Sequence, residues 1–298
     1  MVAALPRNIR QKLDQTIAQW RNWRCDNDLI SRPIPVKTLS PGLSNYSVLV
    51  ESDRQFVVRI DGLNPSVIGL SRQSEWRALQ HASDQELAPI PRYFNPELGS
   101  LVYDYLAADE KADLRLESIA GLLRNIHQLA PVHFRLDIHE RALRYEKHVE
   151  HRGSVLPEVL ARWREPVLDL IASTSNDLKK PVLCHNDLLS ANRITSGGQL
   201  CAIDWEYCAM GSSWFDLAVV CAGDALSDVD TRALLTHYLE RKPEPEEINL
   251  LAQHQAIYRY LELLWFCALD DAEERERQLT EDRFKRMADS LSSIKRRH

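Results

Sequence analysis

A chain of 298 residues, 44% of them hydrophobic, holds enough apolar material for one large domain or for two lobes with separate cores. Its formal net charge of -6 excludes a protein whose main work is holding nucleic acid, because phosphate contacts need clustered Lys and Arg. Six cysteines, at 25, 184, 201, 208, 221 and 267, make no C-x-x-C pair and read as small core hydrophobes of a reducing compartment.

The opening Met-Val-Ala-Ala-Leu-Pro is too short an apolar run for a secretory signal, and Leu263 to Leu269 is too short to cross a bilayer. The expectation is a cytoplasmic protein without membrane insertion and without nucleic acid as a partner. Its oligomeric state is left open.

Ile9, Leu13, Ile17 and Trp20 recur at helical spacing, so residues 1–30 are expected to form an amphipathic helix packed on a first lobe. From Ile34 the period changes. Pro35 to Leu39, Tyr46 to Val50 and Phe56 to Ile60 read as three strands of a meander, joined through Pro-Gly-Leu-Ser-Asn and Glu-Ser-Asp-Arg. The first connection, with Gly42, Ser44, Asn45 and Ser47, could offer backbone N–H groups and hydroxyls to phosphate oxygens, although an ordinary β-turn fits as well. Arg59 stands among apolar neighbours on the third strand and needs an anionic partner there. Glu75 begins the helical stretch Glu-Trp-Arg-Ala-Leu, and a surface Arg with a solvated helical Glu is the rival reading.

Arg92 to Phe94 and Ser100 to Tyr105 flank Asn-Pro-Glu-Leu-Gly and read as a hairpin. A hinge is placed at about 104 to 107, ending a lobe of residues 31–106 and opening a helical lobe of 107–298. The helical periods there run through Leu116 to Leu129, Leu143 to Val149 and Val159 to Ile171, and again from Leu234 to Leu269. His127 reads as a satisfied helical histidine. Asp216 opens an apolar run as an N-cap or as a brace for the preceding loop.

The most informative stretch is Cys184 to Glu206, where His185, Asp187, Asn192, Asp204 and Glu206 lie between the apolar runs Pro181 to Cys184 and Leu200 to Ile203. Thr-Ser-Gly-Gly-Gln at 195–199 reads as a tight turn that returns the second run beside the first, bringing Asp204 next to Asn192. Carboxylates beside buried strands need a cation, a donor or a raised pKa. A metal-dependent hydrolase, or polar residues on a surface loop, would account for parts of this pattern.

The spacing His-x-Asp-x-x-x-x-Asn resembles the catalytic loop of phosphoryl-transfer kinases. At these residues the chain resembles the aminoglycoside phosphotransferase and choline kinase superfamily. Ile-Asp-Trp-Glu-Tyr at 203–207 and Phe-Asp-Leu-Ala at 215–218 look most like its choline/ethanolamine kinase and thiamine kinase branch. The turn Gly-Leu-Ser-Asn and an Arg in place of the usual strand Lys match that branch too.

The resemblance implies an α+β, bilobal protein-kinase-like fold with a small antiparallel-sheet N-lobe and a larger helical C-lobe. It implies ATP and Mg²⁺, with Asn192 and Asp204 as metal ligands, Asp187 positioning the acceptor hydroxyl and His185 supporting the loop. Arg59, oriented by Glu75, would meet the α- and β-phosphates. Gly42, Ser44, Asn45 and Ser47 would cover the nucleotide, and main-chain atoms of Asp104, Tyr105 and Leu106 would meet adenine. The partner would be a small hydroxylated molecule.

Tyr258, Glu262 and Trp265, at i, i+4 and i+7, share one side of a helix. Such a cluster suits a quaternary or thiazolium cation, with core packing as the rival reading. Glu206 is assigned to the same acceptor set, with metal binding through water or a hold on the loop by hydrogen bonds as the other readings. An aminoglycoside or sugar kinase of the same fold, and a non-catalytic nucleotide-binding module, are the competing functions.

Overall fold

The computed structural model describes residues 5–40, 44–62, 69–111, 115–175, 180–269 and 271–295. Its contacts divide the chain into two units, Met1–Ala112 with Ile194–Glu206, and Asp113–Arg193 with Tyr207–His298. The stretch 194–206 thus belongs to the first unit, whereas a single cut at 106 assigns it to the second.

In the first unit, helix α1 (Arg7–Ala18) buries Ile9, Leu13 and Ile17, the i, i+4, i+8 stripe expected from the sequence. Strands β1 (Ile34–Ser40), β2 (Asn45–Glu51), β3 (Gln55–Asp61), β4 (Pro91–Asn95) and β5 (Ser100–Asp104) form one antiparallel sheet in the order β1-β2-β3-β5-β4. Val48, Val50, Phe56, Val58, Ile60 and Val102 share a core with α1. Because side chains alternate along a strand, Val57, Arg59 and Asp61 lie on the opposite face. Helix α2 (Arg72–Ser83) is capped by the Ser71 hydroxyl, which accepts the Ser74 N–H at 3.3 Å.

The 194–206 segment is a hairpin that completes this unit. Strands β7 (Arg193–Ser196) and β8 (Gln199–Ala202) pair across Gly197 and Gly198, whose φ angles of +59° and +79° fit a two-residue turn with both φ positive. The Asp109 carboxylate accepts both turn amides, at 2.9 and 2.8 Å, and the Ala202 N–H donates to Leu87 O at 2.8 Å. The hairpin is therefore real but pairs differently from expectation. Strand β6 (Val182–Cys184) pairs with β9 (Ala209–Gly211), while β8 returns beside β7.

The second unit is mainly helical, with α3 (Leu116–His127), α4 (Ile138–His151), α5 (Glu158–Ser175), α6 (Ser213–Gly223), α7 (Asp228–Leu239), α8 (Pro245–Ala268), α9 (Ala272–Gln278) and α10 (Glu281–Lys295). Helix α8 is apolar around most of its circumference because α4, α5, α6 and α10 all pack on it. Its start is fixed by Pro245 at the first position and by a capping box between Glu244 and Glu247, three residues before the apolar period begins. No helix among the described residues is long and apolar enough to cross a membrane.

Candidate functional site

Within the first unit, Arg59 on β3 is 3% exposed and forks onto Glu75, itself 1% exposed, with Nη2 to Oε2 at 2.8 Å and Nη1 on Oε1. The same Nη1 lies 3.2 Å from Asp204 Oδ1. Burial alone would raise the Glu75 carboxyl, but Arg59 and Arg72 hold it below its usual range. Arg72, in the first turn of α2, joins the network: it reaches Asp61 at 2.7 Å, Glu75 at 2.9 Å, Glu206 at 3.1 Å and Asn45 Oδ1 at 3.1 Å. Ser44 donates to Glu206 Oε1 at 2.5 Å. Gly99, at φ +61°, sits where a Cβ would approach Asp61 Oδ2 to 2.7 Å.

Two guanidiniums thus face four carboxylates, those of Asp61, Glu75, Asp204 and Glu206. The excess negative charge appears on Asp204, whose carboxyl is pushed up to about 7 by burial and by Glu206, against the pull of Arg59. Its side chain is 34% exposed, and its backbone has φ +61°, a left-handed conformation that Asp tolerates better than most residues. A carboxylate that resists ionisation beside its neighbours is well suited to receive a cation.

Within the second unit, the loop after β6 carries His185, Asp187 and Asn192. The Asn192 side-chain amide donates to the Asp187 carbonyl at 2.8 Å and to its Oδ2 at 2.7 Å. An amide that gives its NH₂ to Asp187 presents its carbonyl oxygen, a hard donor, elsewhere. Helix α6 holds the loop at both ends. Asp216 accepts the His185 N–H at 2.9 Å and the Asn186 N–H at 2.7 Å; Asp224, at the α6 C-terminus, accepts the Ser190 N–H at 2.9 Å and pairs with Arg193. The two are eight residues apart, about 12 Å along a helix axis. Of the two roles read for Asp216, the brace is the one the structure shows: the N-cap is Ser212, and Asp216 lies in the first turn, where its side chain is directed to the loop.

His127 spans Asp216 Oδ2 at 3.0 Å and the Tyr238 hydroxyl at 2.8 Å. Burial would raise the Asp216 carboxyl, but the His127 hydrogen bond and charge, with His185, hold it below its usual range. The ligand atoms of His127, Cys184 and Asp216 lie within 4.8 Å of one another, yet both imidazole nitrogens already have protein partners, so the cluster is a brace. His185 is fully buried, in keeping with a supporting part.

Helix α8 places Tyr258 beside this loop. A Cβ on Gly223 would overlap the Leu189 side chain and lie 3.1 Å from Tyr258 Oη. Burial, then the charges of Glu262 and Asp187, push the Tyr258 phenol far above its ordinary value, and it donates to Glu262 Oε1 at 3.4 Å. Trp265 meets Phe266 edge-on at 5.2 Å.

The other expected residues fall as follows. Glu206, assigned to the acceptor set, is 2% exposed and committed to Ser44 and Arg72 in the first unit, because the short turn after β8 directs it there. Ser47 is the register partner of Arg59 and is bonded to the Tyr103 phenol. The Asp104 side chain forks onto Arg92 at 2.7 and 2.7 Å, and the amides of Asp104 and Tyr105 donate to Ile90 and Gln55, so base contacts at 104–106 would use other main-chain groups. Gly42 lies outside the described residues.

Sequence reasoning missed Arg72, Asp61 and Asp224. Only Arg72 had a local signal, its i, i+3 spacing to Glu75. A separate cavity of about 260 Å³ in the second unit is lined by Arg135, Thr174, Ser212 and His254 among others, with none of the loop residues 185–192 in its wall.

The chain matches the phosphotransferase enzyme family over residues 35–251. It is 29% identical over 266 residues to a thiamine kinase of Shigella boydii serotype 4, covering 86% of this chain and 88% of that one. It is 24% identical over 251 residues to protein LicA of Haemophilus influenzae, covering 78% and 72%. Among solved structures, a choline/ethanolamine kinase family protein from Mesorhizobium loti superposes with a TM-score of 0.72 at 18% identity, over 95% of this chain and 99% of that one. LicA in complex with AMP superposes with a TM-score of 0.70 at 21% identity, over 95% and 98%. These likenesses show the protein-kinase-like fold. With its family match covering most of its length, this chain is an enzyme belonging to the phosphotransferase enzyme family.

Proposed function

We propose that the enzyme transfers the γ-phosphate of ATP to the hydroxyl of a small cationic molecule of the choline or thiamine type. The observation that carries this reading is the position of Tyr258 in one unit, against Gly223 and Leu189 of the loop that carries Asp187 and within reach of the Asp187 charge, with Glu262 on its hydroxyl. A tyrosine ring near a candidate catalytic Asp suits a cation whose hydroxyl must reach that Asp, a cation–π contact contributing about 0.5 to 2 kcal/mol.

In this reading Asp187 accepts and orients the acceptor hydroxyl, and Asn192 fixes the Asp187 carboxylate. Arg59, held by Glu75, faces the nucleotide phosphates, and main-chain groups at 104–106 meet the base. The hard oxygens of Asn192 and Asp204, and the excess of carboxylates around Asp204, fit Mg²⁺. Bound there, Mg²⁺ would neutralise charge on the phosphates. Because the transferring group passes through a loose transition state, the contribution of the chain is placement and charge compensation, and Asp187 need not be a strong base.

Incubation with ATP, Mg²⁺ and a panel of choline, ethanolamine, thiamine and aminoglycosides, read by product mass, tests this. A phosphorylated choline or thiamine supports it. Phosphorylation of aminoglycosides alone overturns the acceptor assignment.

A further inference from the structure

Glu262 in the acceptor cluster is already paired. Arg283, from α10, places Nη1 2.9 Å from Glu262 Oε1, while its Cζ stands 4.7 Å over the ring of Phe266. Its Nη2 donates to Gln278 Oε1 at 3.1 Å, so the guanidinium is held on three sides. The side chains are only partly exposed, 28% for Arg283 and 21% for Glu262, and water screens the pair incompletely.

A guanidinium that touches both a carboxylate and an aromatic face occupies the environment a substrate cation would seek. We propose that Arg283 is a built-in counter-cation that sets acceptor specificity. It neutralises Glu262, so a cationic acceptor is drawn by the Tyr258 face and by shape, with little help from a bare carboxylate. The enzyme therefore discriminates only weakly between a cationic acceptor and its neutral isostere. This rests on the acceptor reading proposed above.

Replacing Arg283 should release the charge of Glu262. In Arg283→Gln, the ratio of kcat/KM for choline to that for its neutral tert-butyl isostere should rise about 5- to 20-fold, the range for exposing one partly buried carboxylate to a cation. The KM for ATP should not move. Arg283→Lys, which keeps the charge, should retain the original ratio.

Glu262→Gln, which leaves the guanidinium of Arg283 uncompensated, should lower the choline-to-isostere ratio by a comparable factor, because a bare cation repels a cationic acceptor. The double variant should return the ratio to near the parent value, the coupling expected of two groups in contact. Thiamine, compared by its own kcat/KM, is run beside choline.

An unchanged ratio in a folded Arg283→Gln overturns the inference and leaves the acceptor reading standing. An unchanged ratio in a folded Glu262→Gln also overturns it, because the two charges would then not compensate each other at the acceptor. Failure of parent and variants alike to phosphorylate either cation overturns the acceptor reading, and the inference with it.

Discussion

The Asn192 side-chain amide clasps Asp187 twice, at the carboxylate and at the carbonyl of the same residue. One side chain thus fixes both the position and the rotamer of the candidate catalytic group, and directs its own oxygen away from it. Asn192→Asp keeps a hard oxygen but replaces the donor with a second carboxylate. Two carboxylates in contact cannot ionise together easily, so one carboxyl of the pair rises. The acidic limb of the kcat–pH profile should move to higher pH by about one unit or more, with kcat near neutrality reduced about 10- to 100-fold. A pH–rate series from 5.5 to 9 on both proteins reads this; superimposable profiles would contradict it.

Asp204 supplies a second pH-dependent step. With its carboxyl near 7, it is half-protonated close to neutrality and must lose the proton to hold a metal. The apparent Mg²⁺ affinity should therefore be full above about pH 8 and fall toward tenfold per unit as pH drops below 7. Magnesium titrations of activity at several pH values measure it, and chelation of the metal should abolish turnover. Asp204→Asn should remove the pH dependence along with most of the affinity.

Arg59 and Glu75 are nearly inaccessible, so each is the other's replacement for water. Arg59→Met leaves a buried carboxylate with only Arg72 to face and should cost about 3 kcal/mol or more of stability. Glu75→Gln with Arg59→Met should recover part of that loss, because the buried Glu75 carboxylate is removed together with its partner. Urea unfolding of the single and double variants separates the cost of burial from the role in nucleotide binding, which is read by the KM for ATP.

His254 is 3% exposed, its Nδ1 has no protein partner, and burial pushes its pKa down to about 4 from an ordinary 6.5. The folded state binds the imidazole neutral, while the unfolded chain protonates it below about 6.5. Its contribution is therefore complete above 6.5 and is lost as pH falls toward 4, about 3 kcal/mol across that window. Unfolding free energies at pH 7 and pH 5 should differ less in His254→Phe than in the parent.

The sequence pattern revealed what is local and what is periodic. The α1 stripe, the three-strand meander and the helical second unit follow from periods of 3.6 and 2, and the loop from 185 to 192 carries its clasp within six positions. The nonlocal parts were not legible. Strand β9 is three residues long and is defined by its partners, β6 and the segment around Arg135, so no period marks it. The Arg72 network gathers Asn45, Asp61, Glu75 and Glu206 from four separate segments, and although three of these were read as site residues, no local pattern shows that they meet at Arg72. Asp216 was legible as a brace but not in its register, because the cap geometry at Ser212 depends on where β9 ends.

The most direct test of the account is the turnover of Asp187→Asn with ATP, Mg²⁺ and the acceptor found in the substrate panel. The substitution keeps the size of the side chain and most of its hydrogen-bonding capacity while removing the charge proposed to receive the acceptor hydroxyl. Turnover should fall about 10²- to 10⁴-fold with nucleotide affinity little changed. Equal turnover in the two proteins would contradict the assignment of Asp187 and the mechanism built on it.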